Sequence, residues 1–100
     1  MKRITNISQL KAGDKIFRVH GDELIIKEFI CIHPHNEHYS IFLNDMEDGA
    51  PKFYNSRLES EEWYLYTGNE WNEIYDAQIA WHQRQIERLR GRKNLESNRQ

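Results

Sequence analysis

Lys15-Ile16-Phe17-Arg18-Val19-His20-Gly21-Asp22-Glu23-Leu24-Ile25-Ile26 is the stretch that decides the fold. Lys15 to Val19 alternates polar and apolar, the period of a half-buried strand, and Gly21-Asp22 is tight-turn chemistry. Residues 24–33 are rich in β-branched and aromatic side chains, which predicts a second strand long enough to bend across a small core. Downstream, Pro34-His35-Asn36-Glu37 is a turn, and Tyr39, Ile41 and Leu43 alternate with Ser40, Phe42 and Asn44 in a third strand that forms a hairpin with the second. Residues 45–51 form an acidic loop with Gly49 and Pro51. Lys52-Phe53-Tyr54-Asn55 then makes a short strand, and Trp63-Tyr64-Leu65-Tyr66 makes the last. Upstream, residues 7–14 read as a turn closed by Gly13-Asp14.

Thr67-Gly68-Asn69-Glu70 breaks the β pattern, and Thr67 with Glu70 has the spacing of a capping box, so a helix is expected over about residues 69–91, with Gly91 at its end. Tyr75, Ile79, His82, Ile86 and Leu89 recur at steps of four and three, and Ile74 and Trp81 form a second row. A stripe this broad suits a helix lying as a lid on its own sheet. The same spacing also suits a helix pair between two copies of the chain, a homodimer. The expected class is α+β: one domain over residues 1–93, with a small curled antiparallel sheet or partly open barrel of about five strands in residues 1–66, one long C-terminal helix, and a polar tail at 94–100.

Leu10-Lys11-Ala12-Gly13-Asp14-Lys15-Ile16 resembles the Gly-Asp turn and first strand of small Src-homology-3-like barrels. Size and composition look like accessory proteins of phages and mobile elements. Proteins of that fold bind proteins, nucleic acids or nothing identifiable, so the resemblance transfers no functional residue.

The hydrophobic content of 38% with three tryptophans requires a packed core. A single cysteine, Cys31, excludes an internal disulfide and fits a reducing, cytoplasmic setting. The basic N-terminus lacks an apolar run behind it, so no signal peptide is expected, and no apolar stretch approaches the ~20 residues of a membrane span.

Charge is divided along the chain. Residues 1–82 carry 8 of the 14 Lys and Arg and 14 of the 16 Asp and Glu, a net −6, and residues 83–100 carry a net +4. An acidic, aromatic-bordered face of Asp45, Glu47, Asp48, Glu61, Glu62, Tyr64 and Tyr66 is therefore the leading candidate. It would act by binding a basic protein partner, as an inhibitor that imitates a row of phosphates does. The alternative is a nucleic-acid surface on Arg84, Arg88, Arg90, Arg92 and Lys93, although these also complement the C-terminal end of the helix dipole. Cys31, His33 and His38 are metal-type ligands in one short run, and a small-ligand or metal-binding protein using this segment is a further alternative; their spacing matches no common zinc pattern, so no cofactor is expected. No nucleophile, base and oxyanion donor set is spaced for catalysis, and a non-enzymatic binding module is the expected function.

Overall fold

The computed structural model describes residues 1–43 and 52–97. In chain order it contains β1 (Arg3–Ile4), a 3₁₀ turn (Ile7–Gln9), β2 (Lys15–His20), β3 (Glu23–Ile32), β4 (Tyr39–Leu43), β5 (Lys52–Tyr54), α1 (Arg57–Ser60), β6 (Trp63–Tyr66) and α2 (Trp71–Ser97). The strands form one antiparallel sheet in the order β1-β6-β2-β3-β4-β5. The α+β class and the long C-terminal helix agree with the sequence reading.

Two details differ from it, the number of strands and the end of the helix, while the open sheet agrees with the curled or partly open form expected. The sheet has six strands, because Arg3–Ile4 pairs with β6, too short a match to register as a pattern. The sheet does not close into a barrel: β1 and β5 stay at opposite edges, and strands of two and three residues have few ladder groups with which to join them. Finally, α2 runs through Gly91 to Ser97. Gly91 keeps a negative φ. The residues after it include strong helix formers, so the cost of an internal glycine, about 1 kcal/mol, does not stop the helix.

The β2–β3 hairpin closes with His20 opposite Glu23. Gly21 has φ +62° and Asp22 a negative φ, as the first and second central positions of a two-residue II′ turn require. Alternation along these strands then gives the sheet two working faces. On one, Ile16 beside Leu65 leads into the main core of Ile4, Leu10, Phe29, Phe42, Phe53, Leu58 and Trp63. The 3₁₀ turn and α1 supply Ile7, Leu10 and Leu58 to this side. On the other, Phe17 is fully buried, with its ring 5.7 Å from Tyr64 and 6.0 Å from Tyr66.

Helix α2 lies over β2 on this second face. Ala77, Ala80 and Trp81 border a cleft of about 270 Å³ with Phe17, Val19 and Tyr64. Ile74 is fully buried. The hairpin turn is tied to the same helix: Gln78 donates to the Asp22 carbonyl at 3.2 Å, and His82 Nε2 lies 2.8 Å from Asp22 Oδ1. Beyond Gln85 the described side chains of α2 are all exposed. The helix projects past the sheet, and the molecule measures 62 × 29 × 23 Å.

Candidate functional site

Two stripes run along α2. At about 100° per residue, Ile74, Ala77 and Trp81 share the side toward β2, and Trp71, Tyr75, Ile79, His82, Ile86 and Leu89 lie roughly a third of a turn away. The helix is thus a lid through its first stripe only. The row 75-79-86-89 stays open: Tyr75 is 54% exposed, Ile79 53%, Ile86 47% and Leu89 63%. The reason is geometric, since a straight helix meets one sheet along one side and the residues a third of a turn away cannot reach it.

At its N-terminal end the open stripe borders a groove. Trp71 and Gln78 form one wall, and Asp22, Glu23, Leu24, Ile25 and Ile26 of the hairpin form the other, enclosing about 620 Å³. Leu24 and Ile26 pair with Val19 and Phe17 and therefore share the helix-side face of the sheet. Trp71 is held edge-on to Tyr66 at 6.5 Å and lies 5.7 Å from the Tyr75 ring, which continues the apolar wall along the helix. Asp22 and Glu23, both exposed, make an acidic rim on the sheet side, and Asp76 is exposed on the outer flank of the helix.

The helix start that aims Trp71 is fixed by Glu70, only 7% exposed. Its carboxylate accepts from the Thr67 amide at 2.6 Å and from the Thr67 hydroxyl at 2.8 Å. Burial pushes the Glu70 carboxyl up, but these bonds and the nearby Asn69 and Glu70 amides more than offset it and hold the carboxyl below its ordinary value. Thr67 and Glu70 thus do meet, although the helix begins at Trp71 and not at 69.

The residues expected to form an acidic face are not all gathered in one place. Asp45, Glu47 and Asp48 lie outside the described residues. Glu61 is engaged internally: it accepts from Arg57 Nε at 2.7 Å and Trp63 Nε1 at 3.1 Å, and it lies 3.3 Å from Arg18 Nη1. Burial raises its pKa, while these hydrogen bonds and the Arg57 and Arg18 charges outweigh burial and leave it lowered. Glu62 is exposed, with the Tyr64 hydroxyl 3.5 Å away. Tyr64 and Tyr66 are half-buried, and both pack on Phe17 on the helix side of the sheet.

Arg84, Arg88, Arg90, Arg92 and Lys93 are all exposed on α2. Arg84, Arg88 and Arg92 follow one side at steps of four, while Arg90 and Lys93 point elsewhere. Arg84 borders the smaller cleft together with Glu62. Cys31 is exposed near the end of β3. The His33 Nδ1 accepts from the His35 amide, and the His38 amide donates to Asn36 within the same turn. Among the described residues no group of three or more His, Cys, Asp or Glu is placed to hold a metal ion, and no helix is long and apolar enough to cross a membrane.

The groove itself was not among the sequence-predicted sites. The stripe that adjoins it was legible as the 75-79-82-86-89 row, but its helix wall, Trp71 and Gln78, was not. Its sheet wall, Leu24 and Ile26, was not, because the same residues read equally well as core until the helix is seen to cover β2 and leave β3 open. No protein family model, curated protein or solved structure matches this chain.

Proposed function

We propose that the chain is a non-enzymatic protein-binding module that takes a basic, amphipathic segment of its partner into the groove between α2 and β3. The observation that supports this reading is an uncovered apolar surface with an acidic border: Trp71, Tyr75 and Ile79 on the helix, Leu24 and Ile26 on the sheet, and Asp22, Glu23 and Asp76 along the sides. Contiguous exposed apolar area of this kind marks a contact surface more often than a solvated one. Trp and Tyr supply rigid contact area at low entropic cost, and the flanking carboxylates select a cationic partner and speed its approach. The acidic stretch at residues 45–51 adds negative charge to the same chain. The test is affinity capture at low and high salt with the natural chain and with a Trp71→Ala, Leu24→Ser variant. The natural chain is expected to retain a basic protein that is lost at high salt and lost with the variant. Equal capture by the variant would reject the groove as the binding surface.

A further inference from the structure

We infer that the basic segment the groove receives is the C-terminal half of α2 from a second copy of this chain, the two helices running antiparallel. This assignment rests on reading the groove as a protein-binding surface. It names the occupant from two features of the chain itself. First, the open stripe has helix-pairing spacing over its whole length, from Tyr75 to Leu89, and the side chains of residues 86–96 are exposed. A helical end of this length is marginal in water without a packed face. Second, the helix is polarised. Its first part and the adjoining turn carry Asp22, Glu23, Glu73 and Asp76 with no Lys or Arg, and its last part carries Arg84, Arg88, Arg90, Arg92 and Lys93 against Glu87 and Glu96.

A parallel pair would lay these basic ends side by side. An antiparallel pair lays each basic end along the other copy's acidic groove. With Ile79 set against Leu89 of the second copy, the alternation of layers places His82 against Ile86 and Tyr75 against the Lys93 stem. In that register Asp76 falls beside Arg90 on the outer flank, and Gln78 beside Arg92 on the flank nearest Asp22 and Glu23. Twofold symmetry repeats each contact. The arrangement accounts in one step for the exposed stripe, the projecting helix end and the opposite charges of body and tail.

Sedimentation equilibrium of the full chain at low salt should give twice the 12.1 kDa chain mass, with dissociation strengthened by salt. Ile79→Asp with Leu89→Asp should give a monomer whose β-sheet circular dichroism is retained. Orientation is read by charge exchange: Asp76→Arg and Arg90→Asp should each weaken dimerisation by about tenfold, and the double variant should recover most of the loss. A monomer at all concentrations overturns the inference, and so does a dimer in which the double variant is no better than the singles. A monomeric chain that still captures some other basic protein through Trp71 sinks self-pairing and leaves the groove reading intact. A dimer indifferent to Trp71→Ala, Leu24→Ser sinks the groove reading itself.

Discussion

Glu61 joins elements that are far apart in sequence. Arg18 comes from β2, Arg57 from α1 and Trp63 from β6, and all three converge on its carboxylate. Arg3 donates to the Leu58 and Glu61 carbonyls at 3.2 and 2.6 Å, and the Arg57 guanidinium lies over the Phe53 ring at 4.6 Å. Because the folded-state pKa of Glu61 is depressed, its contribution to stability is complete above the unfolded carboxylate value and is lost as pH falls through the folded value. Glu61→Gln is therefore expected to cost about 2 kcal/mol in urea unfolding at neutral pH. The difference from the natural chain should shrink toward pH 3, and a pH-independent difference would show that shape, not charge, is what the position requires. Glu70 follows the same sign. A glutamate among many reads as a solvated acid in sequence, and only convergence from three elements distinguishes Glu61 from its neighbour Glu62.

Helix α2 is anchored over only part of its length, and the hairpin turn of β2 and β3 is one of the anchors. A Cβ on Gly21 would lie 3.2 Å from the Trp81 ring, and its φ of +62° is one that alanine adopts at a cost. Gly21→Ala should thus destabilise by about 1–2 kcal/mol, and Trp81 fluorescence should report the shifted ring. An unchanged melting curve and emission would mean that the turn does not press on the helix. At this scale the sequence was informative about existence and type. Period-two and period-3.6 patterns locate β2, β3, β4, β6 and α2, because both depend on neighbours along one segment. The two-residue β1 and four-residue α1 carry too few residues to show a period.

The whole molecule is long for its size. Its Cα radius of gyration is 17.7 Å. A compact chain of this length has one of about 13 Å. The excess comes from the projecting end of α2, whose described side chains beyond Gln85 are exposed. Removing residues 86–100 is therefore expected to leave the melting temperature of the sheet within a few degrees under conditions where the chain is monomeric, and to bring the small-angle scattering radius toward the compact value. A chain that fails to fold after this truncation would place stabilising contacts where the structure has none.

The amino-acid pattern alone determined the α+β class, the central hairpin, the long helix and the division of charge, since each follows from local spacing or from counting. Tertiary structure decided which of the two helix stripes is spent on the sheet. Ile74 and Trp81 are no more apolar than Tyr75, Ile79, Ile86 and Leu89, so hydrophobicity could not choose between the rows. The choice was made by the direction in which the chain leaves β6, by the buried Glu70 that starts the helix, and by the Gly21 turn that holds Trp81. A rigid helix then had to leave its other row facing outward.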